Sequence, residues 1–167
     1  TGTPAIYLHP TDALHGDLGM VRKEDVVILL SKSGVTEEII NLIPMFKRLG
    51  VKLIGMIGNS NSKLADEVDV NLLVDVKEEA CPFDLAPTAS TTATLVLGDA
   101  LAVCLLQMRN FTAQDFAMLH PGGSLGKRLS LKISEIMIKD NRIPIVYENT
   151  SIKDTILEIT SKRLGMT

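Results

Sequence analysis

Short runs of mostly consecutive apolar residues recur along the first half of the chain. They occupy residues 5–8, 26–30, 51–57 and 71–76. Runs that are apolar on successive residues, rather than on alternate ones, are typical of strands in a sheet that is covered on both faces. The pattern therefore predicts four buried strands.

Helical patterns lie between and after these runs. Residues 37–49 repeat apolar side chains at helical spacing, and Gly50 follows in the usual capping position. Further helices are predicted at residues 62–67, at residues 90–108, and from a capping box at Thr112 and Asp115 to residue 119. This alternation predicts the α/β class, as a three-layer αβα domain with a doubly wound parallel sheet.

The pattern changes after residue 133. A polar stretch, a short apolar run at residues 143–146 and a capped helix up to residue 164 replace the strand–helix alternation. We therefore predict two domains, residues 1–133 and residues 134–167, the second being the beginning of a small module. Because the chain begins without Met and stops just after a predicted helix, we expect it to be a piece of a longer polypeptide.

A hydroxyl-rich loop follows the second predicted strand. Ser31, Ser33, Gly34 and Thr36 lie between that strand and the helix that starts at residue 37. Unpaired N–H groups at a helix N-terminus and nearby hydroxyls are suited to hold an anion such as phosphate. Any one of these hydroxyls alone is better explained as a helix N-cap, but three hydroxyls and a glycine exceed what one cap needs, so both interpretations of the loop stay open. The loop does not match the nucleotide-binding motif G-x-x-x-x-G-K-[ST], and the chain has no G-x-G-x-x-G.

Composition excludes several classes of partner. The net charge is −3, only 4% of the residues are aromatic and Trp is absent, which argues against nucleic-acid binding. Cys81 and Cys104 form no C-x-x-C pair, which indicates a reduced, cytoplasmic protein. The apolar residues 95–108 are interrupted by Asp99 and are too few to cross a bilayer, and no signal peptide is visible. We therefore predict no membrane partner.

Four other side chains are candidates for acid–base chemistry. His15 lies in a turn-rich stretch, His120 precedes Pro-Gly-Gly, Glu38 lies in the first turn after the hydroxyl loop, and Glu79 lies in the loop after the fourth predicted strand. Each has an ordinary structural explanation, since helix dipoles favour first-turn carboxylates and loop acids are usually solvated. No histidine pair has metal-ligand spacing on a helix, so we predict no metal site.

Several segments together resemble the sugar isomerase (SIS) domain of arabinose-5-phosphate isomerases. The element Ser31-x-Ser33-Gly34-x-Thr36 is typical of SIS domains broadly, and His120-Pro121-Gly122-Gly123 matches as well. The segments that point specifically to the isomerase group are His15-Gly16-Asp17-Leu18-Gly19-Met20 and Glu79-Ala80-Cys81-Pro82. The resemblance covers residues 1–137. Residues from 134 onward resemble the beginning of a CBS module, and the strand–loop–helix with a Gly-Met-Gly-Lys-Ser-Gly loop that precedes these segments in the family is missing.

The resemblance implies an aldose–ketose isomerase that interconverts D-ribulose 5-phosphate and D-arabinose 5-phosphate through an enediol. This reaction opens the route to Kdo, a sugar of lipopolysaccharide and some capsules, and needs neither a metal nor an organic cofactor. Two alternatives stay open: a non-catalytic SIS module that senses a phosphosugar, and an isomerase of another phosphosugar.

The resemblance also implies roles for individual residues. Phosphate would be bound by Ser31, Ser33, Gly34 and Thr36, and the sugar by Ser90 and Thr91. The catalytic set would be Glu79 as the base at C1 and C2, His120 for ring opening or proton transfer to oxygen, and Glu38 and His15 to orient hydroxyls. Because a neighbouring subunit supplies such a histidine in related isomerases, we expect a homodimer or homotetramer with shared sites.

Two departures and one regulatory hypothesis complete these expectations. Val35 stands where many relatives have Glu, and Phe83-Asp84 replaces a common Leu-Gly pair. Neither departure removes a proposed catalytic group. A product further along the same route, CMP-Kdo, carries an acidic sugar and a phosphate, so we expect that it could bind the same cleft as a feedback ligand.

Overall fold

The computed structural model describes residues 1–167, apart from the side chain of residue 130. It divides the chain into two units, Thr1–Phe111 and Thr112–Thr167. The proposed functional loops lie in the first unit, and His120 lies in the second. The predicted domain boundary after residue 133 stays a prediction.

Three parallel strands form the sheet of the first unit, in the order β1 (Val26–Ser31), β2 (Lys52–Ile57) and β3 (Val70–Leu73). Ser31 pairs with Ile57, and Ile57 pairs with Leu73, so the three strands end at the same edge of the sheet. Each strand lies within or at the edge of a predicted apolar run. The loops that leave this edge include the hydroxyl loop and the loop that carries Glu79.

The first predicted strand is wrong. Residues 5–8 form no strand, and Ile6 and Tyr7 are largely exposed. An apolar run becomes a strand only where a neighbouring strand pairs with its backbone, and these residues have no such partner among the described residues. Sequence pattern alone cannot supply that information.

The helices of the first unit are α1 (Pro10–Leu14), α2 (Glu37–Ile40), α3 (Ile43–Leu49), α4 (Lys63–Glu67) and α5 (Ala89–Met108), with a 3-10 turn at Asp17–Met20. The single helix predicted for residues 37–49 is divided into α2 and α3. Pro44 lies in the first turn of α3, and proline has no N–H to donate to the carbonyl of Ile40 and crowds it sterically. Gly50 ends α3 with a φ of 76°, as its capping position predicts.

The core lies on one face of the sheet. Leu29, Leu53 and Ile57 point from β1 and β2 towards Phe46 of α3 and Leu64 of α4, and all five are buried. On the opposite face, the β1 side chains that alternate with this set are about half exposed, namely Val26, Ile28 and Leu30. Helices α1 to α4 therefore cover one face, and the α/β class with a parallel sheet is confirmed.

Helix α5 (Ala89–Met108) confirms the helix predicted for residues 90–108, with one additional residue at its start. In its first turns, Thr92 and Thr94 donate their hydroxyls to the carbonyls of Thr88 and Ser90. The expectation that this apolar region is too short to cross a bilayer is wrong for the whole helix, because its 20 residues are long and apolar enough by length and composition. The core helix of a soluble protein passes the same test. The absence of a membrane partner stays a prediction.

The second unit is helical. It contains α6 (Ala113–Leu119), α7 (Ser124–Ser130), α8 (Ile133–Ile136) and α9 (Ile152–Lys162), with a 3-10 turn at Asp140–Arg142. The capping box that begins α6 is confirmed, since the Thr112 hydroxyl accepts from the Asp115 N–H and the Asp115 carboxylate accepts from the Thr112 N–H. Ser151 caps α9 in the same unit.

Candidate active site

The hydroxyl loop that follows β1 is held by its own side chains. Ser31 is buried at the end of the strand, and its Oγ lies 2.8 Å from the Thr36 Oγ1 and accepts from the Gly34 N–H at 3.0 Å. The Ser33 hydroxyl accepts from the Val35 N–H at 3.2 Å. Thr36 occupies the N-cap position of α2, but its hydroxyl makes no capping hydrogen bond. The helix-cap interpretation therefore does not account for the Ser31 and Thr36 hydroxyls.

Gly34 lets this loop pack against α4. Its φ is +69°, a left-handed conformation that side chains other than Gly rarely adopt. A Cβ at this position would lie 2.0 Å from the Ser62 Oγ and 2.5 Å from the Ser62 Cβ. The Gly34 carbonyl also accepts from the Leu64 N–H at 3.1 Å. Conformation and space thus both require glycine here.

Glu79 closes its own loop onto the start of α5. Its side chain is completely buried. Oε1 accepts from the Ser90 hydroxyl at 2.5 Å, and Oε2 accepts from the backbone N–H groups of Thr88 and Ser90 at 2.9 and 3.0 Å. The carboxylate therefore satisfies N–H groups at the N-terminus of α5, where negative charge is favoured.

Lys32 joins the two loops. It lies between Ser31 and Ser33, and its Nζ is 2.7 Å from the Glu79 Oε1. The two partners differ in environment, since the lysine side chain is 47% exposed whereas the glutamate side chain is buried. The ion pair brings a cation, a set of hydroxyls and a carboxylate together in one unit.

These contacts set the charge of Glu79. The Lys32 ammonium has the largest effect and, with the Ser90 hydroxyl and the backbone N–H groups of Ser90 and Thr88, holds the pKa of Glu79 far below its usual range. Burial opposes this shift, but the hydrogen bonds to the charged form outweigh it. In the same pair, the hydrogen bond to Glu79 raises the pKa of Lys32. Glu79 is therefore ionised and weakly basic in this arrangement.

The remaining predicted residues of the first unit do not join this cluster through direct contacts. Glu38 lies exposed in the first turn of α2, and His15 is exposed at the C-cap of α1. Among the described residues, neither side chain makes a hydrogen bond or ion pair. Thr91 donates its hydroxyl to the Thr88 carbonyl at 2.9 Å, whereas Ser90 contacts Glu79 directly.

His120 occupies the end of α6 in the second unit. Its ring stacks on Phe116, with ring centroids 4.0 Å apart, and its Nδ1 lies 3.1 Å from the Phe116 carbonyl oxygen, to which it can donate. Its own carbonyl is approached closely by Gly126, where a Cβ would lie only 1.9 Å from that oxygen. The first turn of α7 thus packs closely against the His120 backbone through Gly126.

The SIS domain family matches residues 1–104, which is more than half of the chain. The chain belongs to the SIS domain family.

Relatives of this SIS domain include proteins named arabinose 5-phosphate isomerase KdsD. The chain is 55% identical to the one from Pseudomonas aeruginosa and 56% identical to the one from Escherichia coli K12, in both cases over all 167 residues. It spans about half the length of these curated relatives, 51% in each case. A solved structure, an E. coli CFT073 protein in complex with A5P, is 47% identical with a TM-score of 0.69, and the alignment covers 72% of this chain and 64% of that chain.

Lys32 is the residue of this SIS domain that sequence reasoning missed. It occupies the unspecified position of the Ser-x-Ser motif, so the motif gave no signal for it. The only available indication was a cation inside a proposed anion loop. Its partner lies 47 residues further along the chain (79 − 32), and this pairing depends on β1 and β3 ending at the same edge of the sheet.

The departure at Asp84 has a structural explanation. Asp84 has a φ of +52°, and its carboxylate accepts from the Glu79 N–H at 2.6 Å. Asp tolerates this left-handed conformation better than most residues other than Gly, and here it adds a contact that Gly could not make. The same loop holds Cys81, whose thiol pKa is lowered by the backbone N–H groups of Ala86, Phe83 and Leu85.

No cluster of three or more His, Cys, Asp or Glu side chains able to hold a metal occurs among the described residues. The expectation that the reaction needs no metal and no organic cofactor stays a prediction.

Gly34→Ala should destabilise the SIS domain by about 2–4 kcal/mol, the sum of a left-handed alanine and an overpacked contact with Ser62. Denaturant unfolding monitored by circular dichroism would measure the change. Gly19→Ala is the matched control, because a Cβ there meets nothing within 4 Å and should change the free energy of unfolding by less than about 0.5 kcal/mol. Equal effects of the two substitutions would contradict the close contact with Ser62.

Proposed function

We propose that the protein is an aldose–ketose isomerase that interconverts D-arabinose 5-phosphate and D-ribulose 5-phosphate. The observation that carries the proposal is the Lys32–Glu79 pair, which connects a hydroxyl loop to a buried carboxylate within one unit. The names of the KdsD relatives and the related structure in complex with A5P support the choice of substrate. In the same proposal, the reaction serves Kdo synthesis in the cytoplasm.

The hydroxyl loop would bind the phosphate. A hydroxyl has a single proton, so if Ser31 donates to Thr36 across their 2.8 Å contact, the Thr36 proton is free for a phosphate oxygen. The Ser33 hydroxyl already accepts from the Val35 N–H, which leaves its own proton available as well. The loop can therefore offer neutral donors to the phosphate, with Lys32 next to them as the counter-charge.

Glu79 would move the proton. In the aldose-to-ketose direction the carboxylate takes the C2 proton while O1 is protonated by an acid, which gives the enediol. The proton then returns to C1, and the hydroxyl on C2 loses its proton to form the ketone. We assign His120 to ring opening or proton transfer to oxygen, and Glu38 and His15 to orienting the sugar hydroxyls. Ser90 and Thr91 would contact the sugar.

One observation favours a second candidate, a phosphosugar-sensing module without catalysis. The Glu79 carboxylate pairs with Lys32 and accepts hydrogen bonds from Ser90 and Thr88, as expected of a structural carboxylate at a helix N-terminus. A sensor would need the hydroxyl loop but not a competent base. An isomerase of another phosphosugar would use the same loop, because the loop recognises phosphate rather than the sugar.

Turnover of a panel of pentose and hexose phosphates by the intact polypeptide separates these functions. We expect ketose formation from arabinose 5-phosphate with a higher kcat/KM than from hexose phosphates. Saturable binding without turnover, measured by calorimetry, would establish the sensor instead. Preferred turnover of another phosphosugar would keep the isomerase and replace the substrate.

The assembly and its regulation are further proposals. A homodimer or homotetramer with shared sites should be visible by light scattering of the intact polypeptide. Binding of CMP-Kdo at the phosphosugar cleft should raise the melting temperature and inhibit turnover at millimolar concentration. Unchanged values of both would reject CMP-Kdo as a feedback ligand.

A further inference from the structure

The Lys32–Glu79 pair presents a conflict for a general base. Proton transfer is most efficient when the pKa of the base lies near the working pH, but here Lys32 and the donors at the start of α5 hold the pKa of Glu79 far lower. With all these contacts in place, Glu79 would be a poor base for a carbon acid. A catalytic role therefore requires that one of the contacts be withdrawn during the reaction.

Lys32 is the contact that can leave. The other donors to Glu79 are groups of Thr88 and Ser90 at the start of α5, and they are fixed by the first turn of that helix. Lys32 is the only charged donor among them, it is 47% exposed, and its ammonium is carried on a flexible four-carbon stem. Withdrawing it would remove the largest cause of the low pKa and leave the neutral donors in place.

The backbone of Lys32 is fixed, so any movement is confined to its side chain. The Ser31 carbonyl accepts from the Gly58 N–H at 3.2 Å, which ties the end of β1 to the residue after β2. A Cβ on Gly58 would lie 2.6 Å from the Lys32 carbonyl oxygen, so the two backbones are in close contact. The Lys32 Cα therefore stays beside Ser31 and Ser33 whether its ammonium pairs with Glu79 or with a phosphate.

A bound phosphate would compete for this ammonium with Glu79 and with the weaker attraction of the Asp84 carboxylate, whose charge also acts on Lys32. The Lys32 side chain originates within the loop that we assign to phosphate binding, and a dianionic phosphate attracts a cation more strongly than a singly charged carboxylate at equal distance. The phosphate of a bound sugar would thus be placed within reach of Lys32 by the neighbouring hydroxyls.

We propose that Lys32 is a substrate-responsive positioning residue. Its ammonium forms an ion pair with Glu79 in the free protein and with the phosphate when a phosphosugar binds. The inference rests on the proposed function and deepens it. The base becomes active only when substrate occupies the loop. Binding is then accompanied by a rise in the proton affinity of Glu79.

Profiles of rate against pH test this device. The fall of kcat/KM at acidic pH, its acidic limb, reports the pKa of the base in the free enzyme, and the corresponding limb of kcat reports its pKa in the substrate complex. In the wild type we expect the limb of kcat to lie at higher pH than that of kcat/KM. In Lys32→Met the kcat/KM limb should move up towards the kcat limb, and KM should rise about tenfold or more. The phosphate of the free substrate titrates in the same way with every variant, so a difference between variants in the kcat/KM limb reports the protein.

Two variants serve as controls. Lys32→Arg keeps a cation and should preserve the separation of the limbs. Lys23→Met removes another exposed lysine of the same unit and should leave both limbs and KM unchanged. Equal shifts of both limbs in Lys32→Met without a change in KM would make Lys32 a fixed structural partner and overturn the proposal. No shift of either limb would overturn it as well.

A second measurement needs no turnover and no Lys32 variant. Sulfate is a dianion that does not titrate above pH 4, so proton uptake on sulfate binding, measured by calorimetry in buffers of different ionisation enthalpy, reports protein groups alone. We expect uptake in the wild type between about pH 4 and 6 and markedly less in Glu79→Gln. Equal uptake in both proteins, or no sulfate binding, would overturn the proposal. Uptake without isomerisation of any phosphosugar would keep the lysine switch and reject the isomerase.

Discussion

Glu79→Gln should lower kcat for isomerisation by about 10²–10⁴-fold, the range typical of a lost general base. Glutamine has the same shape and can still accept from the N–H groups of Thr88 and Ser90, but it cannot take a proton from carbon. Binding of the phosphosugar should persist, because the hydroxyl loop does not depend on the carboxylate. Initial rates and calorimetric titration of the purified variant would measure the two effects separately.

Glu78→Gln is the matched control for this substitution. Glu78 is the preceding residue of the same loop and is exposed, so its replacement should leave kcat within about twofold of the wild-type value.

Glu79→Gln should also cost about 1–3 kcal/mol of stability, because its amide NH₂ faces donors that a carboxylate oxygen had satisfied. Full turnover by a folded Glu79→Gln variant would show that another group is the base.

Gly126→Ala should produce the second large effect, through the second unit. A Cβ at this position of α7 would lie 1.9 Å from the His120 carbonyl oxygen and 2.8 Å from its carbonyl carbon, so the backbone of His120 or of α7 must move. Overpacking of this kind costs about 1–3 kcal/mol or more. Because displacement of a catalytic group by about 1 Å can cost about 10²-fold, kcat should fall by roughly that factor if His120 acts in the reaction.

Gly122→Ala is the control for a glycine close to His120 that has free space around it, since Gly122 lies in the turn before α7 whereas Gly126 lies in the helix. A Cβ on Gly122 meets nothing within 4 Å, so the variant should melt within a few degrees of the wild type and keep its kcat. Thermal melting and initial rates would be compared for both variants. A loss of stability without loss of kcat in Gly126→Ala would argue against a catalytic role of His120.

Local features of the sequence predicted much of the fold. Gly50 as the end of α3, the capping box of α6 and the cap of α9 all follow from chemistry within four residues, and the structure confirms each of them. The division of the helix predicted for residues 37–49 was also readable in principle, since Pro44 lies inside that range. The apolar spacing continues through Pro44 and therefore predicts a single helix without a break.

The candidate site depends on contacts that local pattern does not encode. The sequence placed Ser31 and Thr36 in one loop, but only the structure shows that they bond to each other rather than cap α2. Glu79 and Ser90 are 11 residues apart and meet because the intervening loop folds back onto α5. The Lys32–Glu79 pair requires the parallel register of the sheet. The family resemblance indicates Glu79 as the acidic residue of the site, whereas its contacts with Lys32 and Ser90 are visible only in the structure.

The break at Pro44 has a consequence for how the anion loop responds to a ligand. A four-residue helix has almost no cooperative stability of its own, because the free-energy cost of nucleating a helix exceeds the stabilisation that a single turn provides. Helix α2 contributes Ile39 to the core, whereas α3 contributes Ile43 and Phe46 and is anchored independently. The turn that follows the loop can therefore open as a separate unit while α3 stays packed, at the expense of the Ile39 contacts. If the protein binds a phosphosugar as proposed, backbone adaptation would be confined to this one turn.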